Sequence, residues 1–182
     1  MYVSEAVKSR FSCRAFTEKP VSKELIKEIL DVAKQAPSGG NLQPWHIHAI
    51  SGNKLDQIVS DIESKITDMP MGEKTEYDVY PPNLWEPYRS RRFKCGEDLY
   101  KSINIPREDK SARLSQLAKN LRFFDAPVGL FVYIDRKMGP PQWSDVGMFL
   151  QTVMLIARER DLHSCAQEAW AMWHSTVNKH LV

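Results

Sequence analysis

The sequence is poor in features that mark several common functional classes. Its three cysteines, Cys13, Cys95 and Cys165, lie far apart and form no CxxC pair. This argues against a disulfide scaffold or a cysteine zinc site, and it predicts reduced thiols in a cytoplasmic protein. The sequence also lacks an apolar run of about 18 residues, the length that marks a membrane helix. We therefore expect no metal and no membrane partner.

Strong charge of either sign is also missing. The 25 basic and 23 acidic side chains give a net charge of +2 at pH 7. Nucleic-acid binding generally needs a larger basic surface, so we expect no nucleic-acid partner. The length of 182 residues and the 42% hydrophobic content are ordinary for one globular domain. We therefore treat residues 1–182 as a single domain.

Residues 36–45 form the most informative stretch of the chain. The stretch reads Ala-Pro-Ser-Gly-Gly-Asn-Leu-Gln-Pro-Trp and separates a periodic helix from a short strand. Proline fixes φ and removes a donor, while glycine permits positive φ and close approach of the backbone. The composition favours a rigid loop that offers amides and short polar groups to a planar ligand. An ordinary connection between helix and strand remains the alternative.

A second polar pattern lies near the N-terminus. In an extended chain, Arg10, Ser12 and Arg14 point to one side, and Phe11 and Cys13 point to the other. Two guanidinium groups and a hydroxyl on one face can hold a phosphate. A solvated edge strand would show the same alternation, so both interpretations stay open.

Hydrophobic patterning predicts a chain of mixed α and β structure. Ser22 is a candidate N-cap for a helix with apolar residues at helical spacing from Leu25 to Ala33. Residues 45–50 predict a strand, in which His46 and His48 are more typical of ordinary strand positions than of metal ligands. A further helix is expected over residues 112–123.

The second half of the chain contains the most apolar segments. Residues 128–134 form a continuous apolar run, which is typical of a strand buried on both faces. Residues 143–160 predict a long helix that is either central in the fold or shared with another subunit. Residues 162–166 predict a second inner strand, and a final helix runs towards Val182.

Residues 67–105 show no regular periodicity and are rich in aromatic side chains. Long irregular insertions in compact domains are often lids or binding loops. The segment also contains a basic cluster of Arg89, Arg91, Arg92 and Lys94. A solvated helix face explains this cluster more simply than recognition of a cofactor phosphate or an acidic substrate.

Together, three motifs resemble the nitroreductase family of flavoproteins. The first motif runs from Arg10 to Phe16 and is followed by Pro20, and the second is the loop at residues 36–45. The third begins at Asp145-Val146-Gly147 and continues through residues 162–166 to Gln167-Glu168-Ala169-Trp170. The resemblance covers the chain except for residues 67–105, which vary among family members.

The resemblance implies an α+β fold with a mainly antiparallel central sheet flanked by helices. It also implies a homodimer built on the long helix, with two FMN sites at the interface. Arg10, Ser12 and Arg14 would hold the FMN phosphate, ribityl chain and pyrimidine edge. Pro37, Ser38, Gly39 and Asn41 would come from the partner subunit and line the flavin.

Four further residues are expected at the flavin from the same resemblance. The helix of Gln116 approaches the pocket in the family. Gln167, Glu168 and Ala169 correspond to the loop whose backbone amide meets flavin N5, although they depart from its usual Pro-x-Glu-Gly form. The family normally continues with another strand, a basic residue at the FMN phosphate and a tail that wraps the partner. We expect that segment to be absent from these 182 residues.

The implied function is that of an FMN-dependent oxidoreductase that uses NAD(P)H, either NADH or NADPH. A small electron-poor acceptor such as a nitroaromatic or quinone would be reduced by a ping-pong mechanism. Flavin chemistry of this kind requires no catalytic side chain, and none is assigned. Two alternatives remain: reductive chemistry on one metabolite, such as dehalogenation or enone reduction, and a non-catalytic FMN-binding protein.

Overall fold

The computed structural model describes residues 1–181, and Val182 lies outside them. Helices and two strands alternate along the chain, with short 3-10 turns at Gly39–Asn41, Lys119–Asp125 and Ala169–Trp173. The elements are α1 (Val3–Ser9), α2 (Lys23–Ala33), β1 (His46–Ser51), α3 (Asn53–Lys65), α4 (Tyr88–Ser102), α5 (Lys110–Ala118), β2 (Val128–Tyr133), α6 (Pro140–Glu159) and α7 (His174–Leu181).

The chain divides into two compact units. The first unit comprises Met1–Asp56 and Asp125–Ala166, and the second comprises Gln57–Phe124 with the chain from Gln167 onward. That residues 1–182 form a single domain stays a prediction. Among the described residues, no helix combines the length and the apolar character needed to cross a membrane.

The first unit has an apolar core that includes one face of the β1–β2 pair and helices α2 and α6. The two strands are antiparallel, in register from His46↔Tyr133 to Ser51↔Val128. Trp45 stacks on Phe149 with ring centroids 4.8 Å apart. Complete burial of a side chain such as Phe149 contributes roughly 2–3 kcal/mol. The other buried members of this core are Ile29, Ala33, Ala36, Val146, Val153 and Ala157.

Both helices of this core begin as their sequences predict. The Ser22 hydroxyl accepts a hydrogen bond from the backbone N–H of Leu25 at 3.1 Å and caps α2. Helix α6 begins at Pro140, where a fixed φ and a missing N–H cost nothing. The helix therefore starts three residues earlier than the range predicted from apolar periodicity.

The second unit is built around buried aromatic and aliphatic side chains. Ile58 and Ile62 of α3 are fully buried. Phe123 stacks on Trp170 with centroids 4.3 Å apart. Phe123 and Phe124 both have φ of 52°, in the left-handed region that bulky residues avoid. This conformation ends regular helix after α5 and explains why α5 is shorter than the predicted helix at residues 112–123.

One carboxylate fastens α7 within the second unit. Glu73 accepts hydrogen bonds from the backbone N–H groups of Ser175 at 2.9 Å and Thr176 at 3.0 Å. It also accepts one from the Thr176 hydroxyl at 2.6 Å. The backbone of Glu73 is held as well, since its N–H donates a hydrogen bond to the Met172 carbonyl at 2.7 Å. Gly72 has φ of 77°, and a Cβ there would lie 2.7 Å from the same Met172 oxygen.

Three sequence-based predictions of structure were wrong in detail. β2 is not buried on both faces, because Gly129 is buried while Tyr133 is 46% exposed. Residues 162–166 form no strand, and Ser164 makes an isolated parallel bridge with Ser12 instead. Residues 67–105 are not irregular throughout, since α4 occupies much of their second half. α4 has no buried residue, so it carries no apolar stripe for a sequence pattern to detect.

Candidate functional site

The N-terminal polar segment is extended and pairs with the chain around Ser164, near the C-terminal end of the first unit. Ser12 bridges Ser164, and the N–H of Cys13 donates to the Ser164 carbonyl at 3.0 Å. Arg10, Ser12 and Arg14 are all partly buried. A guanidinium nitrogen of Arg14 donates to the Ser12 carbonyl at 3.4 Å. Within residues 1–181, no carboxylate lies within salt-bridge distance of Arg10 or Arg14.

Ser164 adds a polar group that the sequence patterns did not reveal. Its hydroxyl oxygen is buried and has no hydrogen-bond partner among the described residues. Leaving such a group unsatisfied costs roughly 1–3 kcal/mol. Unsatisfied buried groups often mark the position of a missing ligand or water. Its place opposite Ser12 therefore extends the donor set of Arg10, Ser12 and Arg14.

The loop at residues 36–45 contains hydrogen bonds between its own residues. The Ser38 hydroxyl accepts from the N–H of Gln43 at 2.9 Å, and the Asn41 side-chain oxygen accepts from the Gln43 amide at 2.9 Å. Gly40, Asn41 and Gln43 have φ of 58°, 53° and 48°. Glycine and asparagine adopt this left-handed region with little cost. Pro37, Gly39 and Asn41 are exposed at the surface of the first unit.

Asp145 positions this loop and was recognised from sequence only as the start of the third motif. Its carboxylate is 5% exposed. Both carboxylate oxygens lie 3.3 Å from the N–H of Gly39, which donates to them. The backbone N–H of Gly39 is therefore held in place by a buried side chain of the first unit. The sequence contains both the acidic residue and the glycine-rich loop, but they are far apart in the chain. No rule of residue spacing connects them, so this role could not be predicted.

The remaining predicted residues belong to the second unit. Gln116 lies on α5 and is partly buried. The Gln167 side-chain amide donates to the carbonyl of Asn120 at 3.0 Å and to its side-chain oxygen at 2.9 Å. Ala169 is the first residue of a 3-10 turn. The Gln167 side chain is thus engaged inside its own unit.

Glu168 is engaged in the same way by Tyr77. The Tyr77 hydroxyl donates to a Glu168 carboxylate oxygen at 2.8 Å. Burial and the hydrogen bond to this carboxylate both raise the pKa of Tyr77, which stays protonated at neutral pH. Both side chains are therefore engaged within the second unit, and the contact of this loop's backbone amide with the flavin stays a prediction.

The comparisons with known proteins agree with the motifs. A sequence model of the Nitroreductase family matches residues 7–181. The chain belongs to the nitroreductase family. Nitrobenzene nitroreductase from Ectopseudomonas oleovorans is 36% identical over 180 residues, which are 99% of this chain and 79% of that protein. The 4-nitrobenzoate reductase from Pseudomonas putida is 38% identical over 175 residues, 96% of this chain and 76% of that protein.

A solved nitroreductase structure confirms the predicted fold class. The FMN and NADPH-dependent nitroreductase NfnB from sphigopyxis sp. strain HMH superposes with a TM-score of 0.96 and is 46% identical. The match covers 100% of this chain and 81% of that chain. The α+β nitroreductase fold expected from the three motifs is therefore correct.

The residues of the first unit fit the cofactor of this family. FMN carries a doubly charged phosphate, a hydroxylated chain and a ring edge with carbonyl oxygens. Suitable donors for these groups are the Ser12 hydroxyl, the orphaned Ser164 hydroxyl and two guanidinium groups that have no carboxylate partner among the described residues. The assignment of individual residues to parts of FMN stays a prediction.

The aromatic segment and its basic cluster are solvent-exposed features of the second unit. Trp85 is 58% exposed and meets Tyr88 edge to face. Arg89 pairs with Glu86 at 2.9 Å and Lys94 pairs with Asp98, as expected for a solvated helix face. Phe123 lies outside this segment and is buried against Trp170.

Proposed function

We propose that this nitroreductase is an FMN-dependent oxidoreductase that takes electrons from NAD(P)H and passes them to small electron-poor acceptors, such as nitroaromatics or quinones. The observation that carries the proposal is the pair of partly buried guanidinium groups, Arg10 and Arg14, which have no carboxylate partner within residues 1–181. Guanidinium groups that are not paired with a carboxylate are suited to bind an anionic ligand. The similarity to nitrobenzene and 4-nitrobenzoate reductases supports a nitroaromatic acceptor.

The chain's own residues bind and orient, while the bound flavin supplies the hydride chemistry. Arg10 and Ser12 would neutralise the phosphate and hydrogen-bond the ribityl chain. Arg14 would place positive charge at the pyrimidine edge, where negative charge collects on reduction. Asp145 would keep the exposed loop at Gly39 in one conformation through the bonds to its N–H. None of these roles requires a side chain to transfer a proton.

A homodimer in the cytoplasm completes the proposal. Helix α6 buries Val146, Phe149 and Val153 in the first unit, yet leaves Trp143 48% exposed and Met148 38% exposed. Exposed apolar side chains on a long helix favour a subunit interface. In the proposed dimer, Pro37, Ser38, Gly39 and Asn41 of each chain line the flavin of the other.

The proposal is tested by an absorbance spectrum of the purified chain, followed by anaerobic addition of NADH or NADPH. We expect flavin bands that bleach on addition and return when a nitroaromatic acceptor is supplied. Parallel lines in double-reciprocal plots of initial rate against NAD(P)H concentration, measured at several acceptor concentrations, would indicate a ping-pong mechanism. A chain that binds FMN but is not bleached by either nucleotide would contradict the enzymatic role and favour a binding protein.

Matched variants test which residues hold the cofactor. Arg10→Gln and Arg14→Gln each remove charged hydrogen bonds worth roughly 1.5–3 kcal/mol, so FMN should bind about 10-fold to 100-fold more weakly. Lys8→Gln, an exposed charge change on α1 of the same unit, is the control and should leave FMN affinity unchanged. Equal loss in all three variants would show that the effect is general electrostatics.

The range of acceptors tests the alternative of a specialised enzyme. Reaction with only one acceptor among many would favour a specialised reductase.

A further inference from the structure

Two cysteines that are distant in sequence lie on neighbouring segments of the first unit. The parallel bridge between Ser12 and Ser164 places Cys13 and Cys165 at the next position of each segment. The hydrogen bond from the N–H of Cys13 to the Ser164 carbonyl, at 3.0 Å, fixes this register. Extended segments joined by backbone hydrogen bonds of this kind lie about 4.8 Å apart, the distance that is typical of neighbouring strands. This spacing is within the range of about 4.4–6.8 Å between Cα atoms that a disulfide requires.

The surroundings of the two thiols differ from those of the third cysteine. Burial raises the pKa of the Cys165 thiol, the Arg14 guanidinium opposes this rise, and the charge of Cys13 adds to it. Cys13 and Cys165 are each partly buried. The Cys13 thiol donates a hydrogen bond to the Ala15 carbonyl at 3.1 Å. Cys95 is exposed on α4 of the second unit and provides an internal comparison.

We propose that Cys13 and Cys165 form a reactive dithiol that low-molecular-weight disulfides convert into an intramolecular disulfide. The thiolate of Cys13 attacks the small disulfide, forms a mixed disulfide and releases one small thiolate. Cys165 then loses its proton to water and attacks the Cys13 sulfur, which forms the Cys13–Cys165 bond and releases the second small thiolate. One small disulfide is reduced to two thiols, and the protein loses two hydrogen atoms.

The order of attack follows from the environments of the two sulfurs. Thiolates are the nucleophiles in this exchange, and burial disfavours the thiolate of Cys165. Once Cys13 carries a mixed disulfide, the proximity of Cys165 makes the second attack intramolecular. High effective concentration then compensates for a small thiolate fraction. The inference requires neither flavin nor NAD(P)H and is independent of the proposed function.

The experiment treats the full chain with glutathione disulfide, quenches remaining thiols with an alkylating reagent and maps peptides by mass spectrometry without reduction. We expect one linked peptide pair that contains Cys13 and Cys165, with Cys95 alkylated or glutathionylated. Before alkylation, the intact mass of Cys95→Ser, which lacks the third thiol, should fall by two hydrogens per closed site, and dithiothreitol should restore it. The oxidised chain should also melt at a higher temperature, since the cross-link restricts the unfolded chain.

Single variants decide between this pair and nonspecific oxidation. Cys95→Ser should form the link at the rate of the unchanged chain, whereas Cys13→Ser and Cys165→Ser should lose it. The mapping on the unchanged chain is decisive even if one of these variants fails to fold. Stable glutathionylation of Cys13 without the link, a link that includes Cys95, or an unchanged mass would each overturn the proposal.

Discussion

In the first unit Trp45 stacks on Phe149 within an apolar core, whereas in the second unit the Glu73 carboxylate receives three hydrogen bonds from Ser175 and Thr176. The second unit also contains packed aromatic side chains, but hydrogen bonds to a carboxylate hold its last helix, α7, in place. Apolar burial involves no group that titrates, while hydrogen bonds to a carboxylate are lost when the carboxylate is protonated. The two units should therefore fail under different conditions.

The largest effect is expected from removing the aromatic centre of the first unit. Phe149→Ala deletes a side chain with no exposed surface, so the free energy of unfolding should fall by about 3–5 kcal/mol. Chemical denaturation at neutral pH measures this change. Met148→Ala, one residue away but 38% exposed, is the control. A loss in Phe149→Ala as small as that of the control would mean that this core is not what stabilises the first unit.

Glu73→Ala should have the next largest effect and should act on the second unit. The change leaves two backbone N–H groups at the start of α7 without their acceptor, at a cost of about 1–3 kcal/mol. Hydrogen exchange should increase in residues 174–181 and not in α2. Glu63→Ala, which removes an exposed pair with Arg122 at 3.3 Å, should have little effect. Increased exchange in α2 as well would contradict the separation of the two units.

Acid should loosen the second unit first. Hydrogen bonds from Lys65 and His180 lower the pKa of Asp61 to about 2. Because the folded state holds this carboxylate below its unfolded value of about 3.9, the stability it contributes is present above about pH 4 and lost as pH falls towards 2. Asp31 of α2 also has a pKa of about 2, set by Lys27 and Lys34, but it lies on an exposed face that salt screens.

Asp61→Asn tests this pH dependence. It should cost about 1 kcal/mol at neutral pH, and the difference from the unchanged chain should shrink as pH falls below about 4. Denaturant midpoints measured from pH 7 to pH 3 give the profile. Asp31→Asn is the matched control, with a smaller effect that disappears in high salt. Parallel profiles for Asp61→Asn and the unchanged chain would refute the role of Asp61.

The smallest effect concerns the orphaned hydroxyl of Ser164. In the chain without cofactor, Ser164→Ala should be neutral or stabilise by less than about 1 kcal/mol, because it removes a buried group that has no partner among the described residues. FMN should bind the variant more weakly if that hydroxyl contacts the cofactor. Thermal unfolding with and without FMN measures both effects. A clear loss of stability without FMN would show that the hydroxyl already has a partner, such as a water.

Local signals in the sequence predicted the parts of the fold that local chemistry determines. Ser22 as an N-cap, the apolar stripe of α2 and the length of α6 were all readable. Helix α4 was not, since its side chains satisfy one another at the surface, as Lys94 and Asp98 do. The hydrophobic run at residues 128–134 indicated a strand but overstated its burial, because burial depends on which elements cover each face.

The candidate site was predictable only where the residues stand close together in sequence. The alternation of Arg10, Ser12 and Arg14 and the composition of residues 36–45 predict ligand contacts, each with a purely structural alternative, and these contacts stay predictions. Ser164, Asp145 and the pairing of Cys13 with Cys165 depend on which segments lie side by side, and no spacing in one chain encodes that. The wide separation of the three cysteines in sequence predicts reduced thiols and does not indicate which of them are neighbours.

Gly72 restricts how this chain can change over evolutionary time. A methyl group there would meet the Met172 carbonyl at 2.7 Å, and the backbone is in a conformation that side chains resist. At Gly96 of α4, by contrast, an added Cβ would have no such neighbour within 4 Å. Drift should therefore replace Gly96 readily and spare Gly72. Even as the aromatic segment around it diversifies, a glycine should persist just before the carboxylate that holds α7.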